Sequence, residues 1–249
     1  MQRVLDIDLD FFVTPPVYRP GDTGRPSPTE YSVQTGNAAF DFLRHQCGLQ
    51  GPVRGFLTET HDQLFLMWRK AIADGILVPP FHVTHVDAHA DLGNGDNGYA
   101  YVMTSLLFST PEERQFPSPA QGEVGLTEVN FLLFAIACRW INSLEYVYGP
   151  GGGSDEIAPV MRDFDLHANA IRLAAMTKKN LSRAISSGFR HNVAVEHFEP
   201  EIPYEHGPRE RFYADSPYDF VCLTRSPLYT PSTADPLYDA IVDNFIDPI

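Results

Sequence analysis

Cysteine is scarce in this chain: Cys47, Cys138 and Cys222 are its three, and no two of them form a CxxC pair. That spacing excludes a zinc ribbon, and an odd count without an export signal is what a reduced, cytoplasmic protein would carry. Basic residues are also few, 18 against 32 acidic ones, for a formal charge of −14. Such a surface repels phosphate backbones, which excludes a nucleic-acid partner, and it attracts cationic ligands and polyvalent metal ions. No apolar run approaches the length that crosses a bilayer, so no membrane partner is expected. Near the N-terminus, Arg3, Asp6, Asp8 and Asp10 break up the short apolar stretch, which rules out a signal-peptide core and assigns the segment to the fold. There is no internal repeat and no low-complexity tract. What remains is ordinary globular composition, 249 residues with 43% hydrophobic and 20% charged, enough for one domain spanning 1–249.

Periodicity supplies the elements. In RVLDIDLD (3–10), Leu5, Ile7 and Leu9 alternate with Asp6, Asp8 and Asp10, which predicts a strand. Residues 14–37, rich in Pro, Gly, Ser and Thr, read as a long loop beside the end of that strand, and loops of such length are commonly functional. A helix over 37–47 capped by Asn37, a strand at 53–58 and a helix over 61–74 stopped by Gly75 follow. FHVTHV (81–86) predicts a strand, 109–126 a second loop or insertion, 127–143 a helix, and 145–148 a strand before a glycine break at 149–153. The stretch 155–187 reads as mainly helical with one interruption, 193–196 and 220–224 as strands, and 233–246 as the last helix. Strands alternating with helices predict a three-layer α/β/α fold around a mostly parallel central sheet.

Two acidic motifs carry the chemistry. In THVDAHADLG (84–93), Asp87, His89 and Asp91 alternate at the end of an apolar strand, where their side chains emerge on one face. Carboxylates with an imidazole suit Mn²⁺, Zn²⁺, Fe²⁺ or Co²⁺, and burying such a trio is costly without a cation. In LDIDLDFF (5–12), three aspartates share one strand face and repel one another unless something positive sits among them. The crevice of an open parallel sheet lies at the carboxyl ends of its strands, which is where Asp8 and Asp10 fall. Asp6 lies deeper and suits a hydrogen-bonded group that orients the ligands. His61, in GFLTETHDQLF (55–65), follows a strand and opens a helix, and would complete the donor set. A DxD after an N-terminal strand also resembles haloacid-dehalogenase-class phosphatases, but that leaves 87–91 without a task.

Together these motifs resemble the arginase-type ureohydrolases, which hold two Mn²⁺ ions. DAHAD matches that family's Asp-x-His-x-Asp motif, strand 5–10 its later Asp-x-Asp strand, and THD (60–62) the turn bearing its first histidine ligand. The Asp-x-Asp strand opens this chain instead of coming late. That order, with CLTRSPLYTP near the end, resembles a divergent branch containing the peptide arginases, which convert arginine in ribosomally made natural-product precursor peptides to ornithine. The resemblance implies that His61, Asp87, Asp91 and Asp8 hold one ion, and that His89, Asp87, Asp8 and Asp10 hold the other. It further implies that Asp91 carries a proton and that an arginine-containing peptide is the partner. Glu59, Asn130 and Glu196 are candidates to position the guanidinium. His85 is either a proton shuttle or a buried, hydrogen-bonded histidine, the second being preferred, and Arg225 meets either a substrate carboxylate or a neighbouring acid. Homo-oligomerisation is left open. Two alternatives stand beside this reading: a zinc-dependent deacetylase or amidohydrolase of related fold, and a non-catalytic metal-binding relative.

Overall fold

The aspartate strand ends sooner than its alternation predicts. In the computed structural model, which describes residues 1–18, 24–93, 97–117, 125–153, 155–189 and 193–249, strand β1 is Arg3–Asp8 and the chain then winds into a 3₁₀ turn over Leu9–Phe12. Asp8 caps that turn by accepting a hydrogen bond from the Asp10 amide at 2.9 Å. Asp10 therefore leaves the strand ladder for the turn above it.

The other elements follow in chain order. Strands β2 (Val13–Thr14) and β3 (Ser32–Val33) form a small antiparallel pair inside the predicted 14–37 loop, of which 19–23 lie outside the described residues. Helix α1 is Gly36–Asp41, capped by the Thr35 hydroxyl rather than by Asn37, and runs into a π-helical turn over Phe42–Gln46. Strand β4 (Val53–Thr58), helix α2 (His61–Ala73) and strand β5 (Phe81–Val86) agree with the sequence reading. Helix α3 (Asn97–Thr104) forms where the sequence pattern predicts no element, and α4 (Pro111–Arg114) forms inside the predicted 109–126 loop on a Thr110–Glu113 capping box; 118–124 lie outside the described residues.

The helix expected over 127–143 is only α5, Phe131–Ala137. Arg139 turns the chain at a left-handed φ of 60°, and the β-favouring run behind it forms β6, Ile141–Tyr148, longer than the predicted 145–148. The largest departure is 155–187. Pro159 removes a backbone donor and Asp163 and Phe164 take left-handed φ, so 3₁₀ turns and the short strands β7 (Ala170–Ile171) and β8 (Ala174–Ala175) precede the one true helix, α6 (Lys178–Ser186). The strand predicted at 193–196 falls instead at β9 (His197–Phe198), antiparallel to β8. Strands β10 (Ile202–Pro208) and β12 (Ile246–Pro248) flank β11 (Phe220–Thr224) and helix α7 (Asp235–Phe245) in the sequence.

The main sheet has eight strands in the order β12-β4-β11-β1-β5-β6-β10-β7, and the pairs β12–β4, β4–β11, β11–β1 and β1–β5 are all parallel. The fold is thus α/β around a mostly parallel sheet. The chain divides into two compact units: Met1–His89, Glu145–Ser154 and His206–Ile249 make one, Ala90–Leu144 and Asp155–Glu205 the other. In the first unit, Leu5, Ile7, Val221 and Leu223 point to one sheet face and are buried with Phe42, Leu237 and Ile241 of the α1–α7 layer. The opposite face carries α2, whose Trp68 meets Phe81 edge to face. Gly55 is required on β4, because a Cβ there would fall 1.6 Å from the Val221 carbonyl oxygen of β11. No helix among the described residues is long and apolar enough to cross a membrane.

Candidate metal centre

Parallel register brings the acidic motifs to one level. Asp6 pairs with His85 and with Cys222, and Asp8 with Thr224, which in turn pairs with Thr58. Ile7 is opposite Val86, so Asp87, the next residue on the β5 side, emerges level with Asp8. The side chains of Asp6, Asp8 and His85 share the sheet face that α2 covers. His61 is the first residue of α2 and begins its buried stripe, His61, Leu64, Phe65 and Trp68, at the i, i+3, i+4, i+7 spacing of a helix face. The periodicity that packs α2 on the sheet thus aims the imidazole at the strand ends.

Four donor trios form among the described residues, and two of them share Asp87 while dividing Asp8, His61, Asp10 and His89 between them. One is Asp8, His61 and Asp87: His61 Nδ1 lies 3.3 Å from Asp8 Oδ2 and 3.8 Å from Asp87 Oδ2. The other is Asp10, Asp87 and His89: His89 Nδ1 lies 3.1 Å from Asp10 Oδ2 and 3.5 Å from Asp87 Oδ1. Within each trio the ligand atoms lie within 4.8 Å of one another, a span that one divalent cation can fill. Behind them, Asp6 Oδ2 is 2.8 Å from His85 Nδ1, and His85 Nε2 is 3.2 Å from Asp87 Oδ2 and 3.2 Å from the His89 carbonyl oxygen. Asp6 also faces His61 Nε2 at 3.6 Å. His85 is fully buried between two carboxylates.

Neighbouring loops hold the turn that carries Asp87 and His89. The Asp87 amide donates to the Val147 carbonyl at 3.1 Å, the His89 amide to Asp87 Oδ1 at 2.8 Å and the Ala88 amide to Asp10 Oδ1 at 3.3 Å. The Ala88 carbonyl accepts from the Tyr146 hydroxyl at 2.9 Å. The glycine stretch 149–153 passes so close that a Cβ at Gly152 would sit 2.9 Å from that same carbonyl oxygen. On the other side, Ser226, at a left-handed φ of 46°, donates a short hydrogen bond to Asp8 Oδ2.

Charge is out of balance in this cluster. Burial, and then the Asp10 and Asp87 carboxylates, push Asp8 well above the ordinary carboxylate range, and burial with Asp87 pushes Asp10 up to about 6. Burial works against ionisation of Asp87 as well, but His85, and then His89 and His61, hold it well below its ordinary value. Burial likewise opposes protonation of His85, yet Asp87 and Asp6 raise it to about 10, and Asp10 and Asp87 raise His89. Carboxylates thus crowd here against the cost of burial, and divalent cations relieve such crowding in sites of this composition. Asp6 Oδ1 and His89 Nε2 are buried without a hydrogen-bond partner, and Asp10 Oδ2 and Asp87 Oδ2 are buried with only the imidazole ion-pair contacts at 3.1 and 3.2 Å. In a buried site such atoms are costly unless they ligate. The residues present fit a metal centre.

The remaining candidates take varied places. Asp91 follows His89 by two residues, is buried, and adopts a left-handed φ of 49°. Glu59, next to the α2 cap, is exposed and accepts from Arg225 Nε at 3.1 Å; Arg225 also reaches Asp235 at 3.2 Å and lies over the Tyr238 ring. Asn130 is fully buried, its Oδ1 accepting from the Thr127 amide and its Nδ2 donating to the Gly125 carbonyl, as a residue shaping the turn before α5 does. Glu196 is exposed beside β9. Sequence reasoning missed Ser226, although TRSPLYTP follows a buried strand as the loops carrying the candidate ligands do. It also missed Glu199, buried between Arg114 and Arg139 at 2.8 Å each, a long-range pairing without a local signal. Comparison with protein-family models, with curated proteins and with solved structures finds no match to this chain.

Proposed function

We propose that the chain is an arginase-like metallohydrolase that takes two Mn²⁺ ions and hydrolyses the guanidinium of arginine residues in a peptide. The observation that carries this reading is the pair of donor trios meeting at Asp87. When bound, two such ions supply an activated water at neutral pH and Lewis acidity toward the substrate. Asp8 and His61 would hold one ion, Asp10 and His89 the other, and Asp87 both. Asp6 and His85 orient these ligands: His85 holds Asp87 through Nε2, and Asp6 fixes the His85 ring through Nδ1. Asp91, two residues from His89 along the chain, is assigned the proton-carrying role. Water adds to the guanidinium carbon, the C–N bond to the side chain breaks, and a proton passes to the departing nitrogen. The products are urea and the primary amine of ornithine. The net charge of −14 favours a cationic substrate over an anionic one.

A one-ion zinc amidohydrolase would use one trio only, so metal content separates the two readings. Elemental analysis of the purified protein should give about two manganese ions per chain by the two-metal arithmetic of such sites. Incubation with arginine-containing peptides should then release urea, with loss of CH₂N₂ from each modified arginine. Zinc at one per chain with deacylation of an amide would favour the alternative. Absence of bound metal and of any mass change, on peptides and on free arginine, would remove the enzymatic reading.

A further inference from the structure

Within the cluster, one ligand side chain meets solvent. His89 is 15% exposed, whereas Asp6, Asp8, Asp10, His61, His85 and Asp87 are each 4% or less. A ligand arriving from water therefore comes past His89. Two tyrosines stand there. The Tyr18 ring meets the His89 ring at 5.5 Å and 90°, and the Tyr229 ring meets it at 5.2 Å and 64°. Tyr18 is half exposed and Tyr229 is 8% exposed.

Both rings are held by backbone that also holds the site. The Tyr229 amide donates to the Ser226 carbonyl at 2.9 Å, and the Thr230 hydroxyl donates to that same carbonyl at 3.0 Å, in the turn whose Ser226 side chain reaches Asp8. The Tyr18 hydroxyl donates a short hydrogen bond to the Gly151 carbonyl, in the glycine stretch that packs on Ala88. Arg25 closes the arrangement, bonding the Thr230 and Pro231 carbonyls at 3.0 Å each and Asp235 at 2.7 Å. Arg25, ahead of β3, is thereby fastened to the segment after β11.

We propose that Tyr18 and Tyr229 are specificity-determining residues that form an aromatic mouth over His89 and seat the positive charge of a peptide side chain. An organic cation is attracted to the negative face of an aromatic ring, and a planar guanidinium stacks there better than an ammonium. The acidic surface draws cations of every shape; the two rings beside His89 favour organic cations that pack on an aromatic face. This deepens the proposed function and rests on the same centre, but it concerns binding, which can be measured without turnover.

The test uses two ligands that share a four-carbon side-chain stem and that the enzyme does not hydrolyse, Nα-acetyl-lysine amide and the neutral Nα-acetyl-norleucine amide, titrated calorimetrically into the manganese-loaded protein. Wild type should prefer the cation. Tyr18→Ala and Tyr229→Ala should each weaken cation binding by about 3- to 30-fold, the range of a single cation–ring contact, and leave norleucine unchanged. Tyr229→Phe keeps the ring and should bind as wild type does. Bound metal, measured in each variant, should remain at the wild-type level, which separates lost recognition from a collapsed site. Wild type without a cation preference overturns the proposal, and so do alanine variants that retain the full preference. A protein that prefers the cation through these rings yet releases no urea from arginine peptides leaves this inference standing and removes the hydrolase reading.

Discussion

Replacing Asp87 by Asn tests the centre at the one residue common to both trios. The change is nearly isosteric, removes one negative charge, and takes an anionic oxygen from each trio at once. Without metal, two effects oppose each other. His85, fully buried, loses a carboxylate 3.2 Å away, and breaking a buried pair costs about 3–5 kcal/mol. Asp8 and Asp10, which Asp87 pushes toward protonation, are relieved of that repulsion. The metal-free melting temperature should therefore fall by less than the pair alone suggests. With metal the contrast is large. A ligand held at about 100 times its dissociation constant stabilises by about 2.7 kcal/mol. For a chain of this size each kcal/mol is worth about 2–4 °C, so each ion should raise the wild-type midpoint by about 5–11 °C. Melting with and without Mn²⁺, alongside elemental analysis, should show this rise in wild type and little of it in Asp87→Asn. Asp6→Asn is the matched control: Asp6 groups with His61 and His85 rather than with Asp87, and loss of an orienting partner costs about 10- to 100-fold in affinity while stoichiometry is kept. An Asp87→Asn protein that binds both ions with the full thermal gain would refute the shared-ligand geometry.

Other outcomes follow from single contacts. Ser226→Ala removes a buried donor to the Asp8 carboxylate and should cost about 1.5–3 kcal/mol in chemical denaturation, with both ions still bound but more weakly. Gly152→Ala forces a methyl toward the Ala88 carbonyl; overpacking of this kind costs about 1–3 kcal/mol, and a metal titration should show the weakened site. Glu199→Gln unpairs Arg114, whose three backbone carbonyl acceptors soften the loss, so destabilisation should fall near the lower end of about 3–5 kcal/mol. The pH dependence of that gap has a definite sign. Although burial opposes ionisation, Arg114 and Arg139 lower the Glu199 pKa in the folded state, so its contribution is complete above the ordinary glutamate value and disappears as pH falls through the lowered one. Urea melts of wild type and variant should converge in acid; a gap that widens there would exclude the pairing.

Strands β1, β4, β5 and β11 were legible because each is a short apolar or alternating run that the sheet buries, and the acidic motifs announced themselves by crowding charge at the ends of two such runs. His61 could have been read more sharply, since its place at the head of the Leu64–Phe65–Trp68 stripe already puts it on the packed face of α2. The stretch 155–187 misled because HANAIRLAAM has helical composition, while the pairing of Ala174 and Ala175 with β9 and of Ile171 with β10 is decided by distant chain. Asp10 shows the limit of period-two reasoning: the alternation continues through it, but the Asp8 side chain captures its amide and bends the backbone away. Ser226 depends on a contact across 218 positions, which no local pattern encodes.

The placement of β1 between β5 and β11 sets the order in which this molecule can be built. As the chain leaves the ribosome, its first strand finds β5 once residue 86 has emerged, but its other edge stays open until residue 224 is made. Until then a buried strand bearing ionisable groups is half paired, and closing that gap is a slow, long-range step. Uptake of metal would then report that the segment carrying β11 has docked onto the one carrying β1.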